Sequence, residues 1–291
     1  MTPTDRTIIA NRLRHHLLDW GGDGPLVLLL HGFLEHAHAW DDVAPLLVAA
    51  GFRVLALDWR GHGDSEWVGA GGYYHFADYT ADLAFLIREL GGHAALVGHS
   101  MGSAAALGYT GTEPARVTAL ACIEALGPPD SSPELAPDRF ADWVADLGRA
   151  AARPRPPLSL DAAAARLAER FPRFPPAAAR RMAEHGTRPD ANGGRVWKFD
   201  PLHQTRTPQP YYTAQARAFW RRVTCPVLYV EGADSVLRLD PADVDDRLVE
   251  LRARRVTMPG VAHHPHLERP AELAAILVDF LAGATRHRKL A

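Results

Sequence analysis

Short apolar runs with little polar alternation recur along this chain, and they limit what it can fold into. LVLLL from Leu26, RVLALDW at 53–59, AALVGHS at 94–100 and VTALACIE at 117–124 are too short for buried helices. They are also too uniformly apolar for strands with one wet face, so they read as strands covered on both sides. Between them, Leu83, Leu86, Ile87 and Leu90 fall at i, i+3, i+4 and i+7 within 76–90, with Gly91-Gly92 as a stop. Strand alternating with helix predicts an α/β fold on a mostly parallel sheet. Upstream, TIIANRLRHHLLDW and PLVLLLHGF flank the turn-forming Gly21-Gly22-Asp23-Gly24 and are read as an antiparallel hairpin entering that sheet.

The alternation breaks at Gly127-Pro128-Pro129 and resumes at PVLYVEG, 226–232. A bare connection in a compact domain seldom exceeds about 15 residues, so the intervening stretch must have structure of its own. Its segments RFADWVADLG, DAAAARLAERF, AARRMAEH and TAQARAFWRR are helical in pattern, and proline clusters separate them. The chain therefore divides into a first core segment, 1–126, an inserted helical cap, 127–224, and a second core segment, 225–291. In the last segment Asp240 and Pro241 suit the N-cap and N1 positions of a helix, and RRVTMPG is a strand. Leu273, Ile276, Leu277 and Phe280 mark a closing amphipathic helix ending at Gly283.

Composition narrows the function classes. With 291 residues and 47% hydrophobic content, the chain can bury one large core. Its 32 basic and 34 acidic residues give a formal charge of -2, which supplies no field for nucleic acid or anionic lipid. A small-molecule substrate suits it better. The N-terminal residues lack an apolar signal-peptide region and LVLLL is too short to span a bilayer, so a cytoplasmic protein without membrane attachment is expected. Cys122 and Cys225 lie in or beside apolar runs and read as buried structural thiols.

The chemistry centres on Gly98-His99-Ser100-Met101-Gly102, between the strand AALV and the small-residue helix SAAALGY. A serine hydroxyl becomes a nucleophile when it is held in a sharp turn, next to a base and to amides that can receive an oxyanion. Glycines on both sides of Ser100 permit such a turn. The motif alone is weak, and its position between strand and helix gives it weight. Oxyanion donors should come from Met101 and from Phe33, because Gly32 in His31-Gly32-Phe33 allows close backbone approach. His31 itself reads as structural.

The base is expected to be His263, in the Met258–Glu268 segment between the last strand and the last helix. His264 and His266 would then line or support the pocket. His263, His264, His266 and Glu268 also have spacing that suits a metal. No accompanying Cys, Asp or Glu cluster is visible, and no metal is expected. Asp234, in the loop after PVLYV, is the first choice for the acid that orients the histidine. Glu124, at the end of VTALACIE, is the main rival, and Glu231 is a third option inside a strand. The loop Asp58–Ser65 should brace the oxyanion loop. Pocket candidates are His99, Glu124, Trp143, Trp197, Tyr211 and Trp220, with Phe199 and Tyr212 nearby; some of these aromatics must form the cap's own core.

HGF at 31–33, DWRGHGDS at 58–65, GHSMG at 98–102, EGADS at 231–235 and GVAHHPHLERP at 260–270 resemble, in order, the motifs of the α/β-hydrolase fold superfamily over nearly the whole chain. The resemblance implies an eight-stranded sheet, a triad in the order Ser, Asp, His, a cap between the sixth and seventh strands, and no cofactor. Epoxide hydrolases and haloalkane dehalogenases are similar in architecture but place aspartate at the nucleophile, where this chain has Ser100. HGFLEH and VWKFDP also resemble the serine hydrolase-like branch. Val261-Ala262 departs from the glycine that relatives often carry just before the histidine. The expected activity is hydrolysis of a small to medium, largely apolar ester. The alternatives are C–C bond hydrolysis or perhydrolysis on the same triad, or ligand binding without turnover.

Overall fold

A computed structural model describes residues 1–152, 155–191, 193–236 and 239–290. Its strands are β1 (Thr4–Ala10), β2 (Leu13–Gly21), β3 (Leu26–Leu30), β4 (Arg53–Leu57), β5 (Ala94–His99), β6 (Val117–Ile123), β7 (Thr187–Pro189), β8 (Arg195–Trp197), β9 (Val227–Gly232) and β10 (Arg254–Met258). The α-helices are α1 (Ala44–Ala49), α2 (Phe76–Glu89), α3 (Met101–Thr112), α4 (Ala136–Ala152), α5 (Leu160–Arg170), α6 (Pro176–Gly186), α7 (Thr213–Trp220), α8 (Pro241–Leu251), α9 (Pro265–Glu268) and α10 (Pro270–Leu290).

Eight strands form one sheet in the order β1-β2-β4-β3-β5-β6-β9-β10. From β4 to β10 every pairing is parallel, whereas β2 runs antiparallel to both β1 and β4. The central strands are buried on both faces, which is why they read as continuous apolar runs. Two cores result. One face packs Leu28, Leu30, Leu96 and Leu120 against α2 and α3, and the other packs Val27, Leu29, Val97 and Ala121 against α1 and α10.

Two local expectations need correction. The hairpin is β1–β2, closed at Asn11 and Arg12, both of which adopt positive φ (48° and 65°). This is the conformation of a tight two-residue hairpin turn, here without the glycine that usually marks one. The Gly21–Gly24 loop instead leads from β2 past β4 to β3, because β2 and β3 are not neighbours. Likewise α10 continues through Gly283 to Leu290. A glycine inside a helix costs only about 1 kcal/mol against alanine, so it need not end one.

Between β6 and β9, the sixth and seventh strands of the main sheet in chain order, lie α4 to α7 and the two-stranded β7–β8 sheet. Asp200 N–H donates to the Gly61 carbonyl and Tyr74 donates its hydroxyl to Asp200, which docks this insertion on the 58–65 loop. The last helix of the insertion, α7, packs on α3, and Trp220 (3% exposed) belongs to the main core. Among the described residues no helix is long and apolar enough to cross a membrane. Both cysteines are free; Cys122 is buried and Cys225 only half-buried.

Candidate active site

Strands β3, β5, β6, β9 and β10 lie side by side and run in one direction, so the loops leaving their C-terminal ends share one edge of the sheet. That edge gathers Phe33, Ser100, Glu124, Asp234 and His263.

Ser100 sits between β5 and α3 with φ 48° and ψ -112°, backbone strain that a non-glycine residue adopts only where its surroundings force it. The forcing contacts are visible. Ser100 N–H donates to the Ile123 carbonyl at 2.9 Å, and Ser103 donates its hydroxyl to Gly98 O at 2.6 Å. A Cβ on Gly98 would lie 2.5 Å from the Gly102 backbone, and one on Gly102 would lie 2.4 Å from Leu30 O. Both glycines are therefore required for the turn to close and for α3 to begin against the end of β3. Met101, the first residue of α3, brings the helix's positive end to the serine.

At this edge His263 faces the carboxylate of Glu124. Nδ1 of His263 lies 3.0 Å from Glu124 Oε2. Glu124 has positive φ (65°) and is 5% exposed, and its other contacts are the Gly232 N–H and the Ser235 hydroxyl, each at 2.5 Å. Burial raises its pKa, but the hydrogen bonds from His263, Ser235 and Gly232 outweigh burial and hold it below the usual carboxylate range. An ionised Glu124 accepting from Nδ1 fixes the tautomer that leaves Nε2 of His263 as an acceptor.

The first choice for this carboxylate, Asp234, is elsewhere. The loop carrying His263 crosses directly over the end of β9, where a Cβ on Gly232 would lie 2.3 Å from Val261 O. Asp234 N–H donates to Val261 O beneath that crossing, while its side chain, 47% exposed, turns out to Arg173 at 3.1 Å. The crossing carries His263 past β9 to β6, and so to Glu124. Glu231 is also excluded, being held by Arg255 and Thr257.

His99, within the Gly98–Gly102 motif, is 1% exposed and does not line a pocket. Its Nε2–H donates to the carbonyl of His263 at 2.7 Å, and its Nδ1 faces Glu35 at 3.2 Å. Burial lowers its pKa, but Glu35 outweighs burial and raises it. Glu35 Oε2 also accepts the Gly32 N–H at 2.9 Å, so one buried carboxylate ties the Phe33 loop to the serine turn and, through His99, to His263. His31 is structural as expected: Nδ1–H donates to Gly32 O and Nε2 accepts from Trp59 N–H. The 58–65 loop braces this region through Asp58, which accepts from the backbone of Ala37 and Asp64.

Among the pocket candidates, Trp220 is core, and Tyr211 packs against the same core with Arg247 over its ring. Trp143 stands edge-on to Tyr73 at 5.2 Å, Trp197 stacks on Phe199 at 6.1 Å, and Phe33 is 46% exposed against His62 and His203. Of the spacing-based metal set, Glu268 accepts from the Ala262 and His264 amides and pairs with Arg173, while His263 faces Glu124. Only His264 and His266 share a partner, and it is Glu35. Glu35 was not visible as a site residue in the sequence, although its place three residues after Gly32 in the HGFLEH segment was the available signal.

Residues 25–270 match the family model described as alpha/beta hydrolase fold. The chain is 29% identical to epoxide hydrolase A of Mycobacterium tuberculosis, over 97% of this chain and 98% of that protein. It is 30% identical to an esterase of the same organism, over 89% of this chain and 84% of the relative. The crystal structure of a hypothetical protein from Pseudomonas aeruginosa PAO1 matches with a TM-score of 0.87 at 28% identity, covering 97% of this chain and 100% of that one. With the sheet order, the strained turn after β5 and these likenesses in agreement, the chain belongs to the alpha/beta hydrolase fold family of hydrolytic enzymes.

Proposed function

We propose that the protein is a serine hydrolase of small to medium, largely apolar esters. Ser100 is the nucleophile, His263 the general base and Glu124 the carboxylate that orients it. The observation that carries this reading is the buried Glu124–His263 pair beside a serine held at positive φ. In that arrangement Nε2 of His263 removes the Ser100 proton as Oγ attacks the ester carbonyl, and Glu124 stabilises the imidazolium that forms. The amides of Phe33 and Met101 receive the developing oxyanion, aided by the N-terminus of α3. Collapse of the tetrahedral intermediate expels the alcohol, protonated by His263, and leaves an acyl-Ser100. Water activated by the same histidine then releases the acid and restores the serine.

Likeness to an epoxide hydrolase raises epoxide opening as a second reaction. Ser100 speaks against it, because an ester formed on aspartate is the intermediate that resemblance to those enzymes implies. The test is hydrolysis of p-nitrophenyl esters of graded acyl length beside an aryl epoxide, by the wild type and by Ser100→Ala and His263→Ala. Ester turnover that falls at least about 10³-fold in both variants, with both still folded, is expected. Unchanged turnover in folded Ser100→Ala would remove the mechanism, and epoxide opening without ester cleavage would replace it.

A further inference from the structure

A second cluster lies beneath the serine and takes no part in the proposed chemistry. Its centre is the carboxylate of Glu35, buried at 8% exposure. Three imidazole nitrogens converge on it, one from the end of β5 and two from the start of α9. His99 Nδ1 is 3.2 Å from Oε1, His264 Nε2 is 3.4 Å from Oε1, and His266 Nε2 is 3.5 Å from Oε2. The rings themselves are close, with centroids 4.4 Å apart for His99 and His266, 5.2 Å for His99 and His264, and 5.9 Å for His264 and His266.

Hydrogen bonding alone leaves this cluster incomplete. His266 has no exposed surface, and neither of its ring nitrogens has a hydrogen-bond partner among the described residues. An unsatisfied buried polar group of this kind costs about 1–3 kcal/mol, and such groups are rare enough in folded proteins to need a reason.

We propose that Glu35, His99, His264 and His266 form a binding site for a divalent late transition-metal ion such as Zn²⁺. The ligand atoms are a Glu35 carboxylate oxygen, His99 Nδ1, His264 Nε2 and His266 Nε2. Bonds of about 2.0–2.1 Å to a tetrahedral ion place its ligand atoms about 3.3–3.4 Å from one another; His99 and His264 lie 3.2 and 3.4 Å from Glu35 Oε1, and His266 lies 3.5 Å from Oε2. Glu35, His99 and His266 offer ligand atoms that all lie within 4.8 Å of one another, and His264 belongs to a second such group, with His99 and His263, that shares His99 with the first. The outer partners of a metal site are also in place: His99 donates its far N–H to the His263 carbonyl, and Glu35 is oriented by the Gly32 N–H. Four protein ligands leave no open position, so the ion is structural. It clamps together the loops that carry Phe33, Ser100 and His263. Binding displaces a proton from the imidazole cluster, and it satisfies the orphaned Nε2 of His266.

Co²⁺ is the probe that tests this. Chelator-stripped full-length protein is titrated with Co²⁺ while visible absorption and Tm are followed, and Zn²⁺ is then added. The expected result is one equivalent of Co²⁺ giving the intense bands of a tetrahedral ion, a raised Tm, and displacement by Zn²⁺. His264→Phe and His266→Phe should each weaken binding at least about 100-fold, while His185→Ala, which disrupts the separate His38, Asp41 and His185 group, should leave it unchanged. Absence of bands and of a Tm shift at millimolar Co²⁺ would overturn the proposal, as would undiminished binding in folded His266→Phe. X-ray absorption of Zn²⁺-loaded wild type gives a variant-independent check: three imidazoles and one oxygen support the site, and two imidazoles or fewer overturn it.

Discussion

Glu124 Oε2 meets His263 Nδ1 at 3.0 Å from the end of β6, one strand away from the strand that carries Ser100. The carboxylate and the serine thus sit on adjacent strand ends, and only the histidine loop has to travel to reach them. Glu124→Gln should lower kcat for ester hydrolysis by about 10²–10⁴-fold with little change in fold, because a neutral amide no longer fixes the tautomer or stabilises the imidazolium. Asp234→Asn should leave kcat within about threefold, since its exposed carboxylate pairs with Arg173 rather than with His263. Steady-state kinetics on the two variants decides between the carboxylates.

Gly98→Ala and Gly102→Ala should each destabilise the protein by about 2 kcal/mol or more and reduce fluorophosphonate reactivity. The added Cβ meets backbone atoms at 2.5 and 2.4 Å, and backbone cannot move aside as a flexible side chain can. Urea unfolding measures the loss.

Stability should fall on the alkaline side through His16. Burial lowers the pKa of this histidine, but hydrogen bonds and charge from Asp58, with a further bond from Asp5, outweigh burial and raise it to about 9. A raised folded-state value means the contribution is complete below about pH 6.5 and is lost as pH climbs through about 9. Asp58 is held below the ordinary carboxylate range; burial opposes this, and the bond and charge of His16 outweigh it. Its contribution is therefore present at neutral pH and lost in acid. Urea midpoints of the wild type should decline between about pH 7 and 9, and those of His16→Gln should be lower and flatter over that interval.

Trp220→Ala should cost about 3–5 kcal/mol, the usual loss for emptying a buried aromatic site. Trp143→Ala should cost less than about 1 kcal/mol, because its ring rests against half-exposed Tyr73. Thermal unfolding of the pair separates a core tryptophan from one on the insertion's surface.

The strand runs and the serine turn were legible because they depend on local sequence: unbroken apolar stretches mark doubly covered strands, and Gly98 and Gly102 mark a turn that tolerates no Cβ. The order of β2, β4 and β3 was not, since it depends on which strands meet across the sheet. Nor could spacing choose between Glu124 and Asp234. Both follow strands at the same edge, and the choice was made by the close passage of Val261 over Gly232, which leaves Asp234 facing outward. The ring of histidines around Glu35 was hidden for the same reason, since the member nearest to Glu35 in the chain, His99, lies 64 residues from it.

Covalent labelling of Ser100 is the most direct test of the central claim. The native protein is treated with a fluorophosphonate and the modified peptide is located by mass spectrometry. Modification of Ser100 that disappears in His263→Ala and weakens sharply in Glu124→Gln is the predicted result. Folded protein that remains unlabelled, or that labels equally with and without His263, would contradict an activated serine at this site.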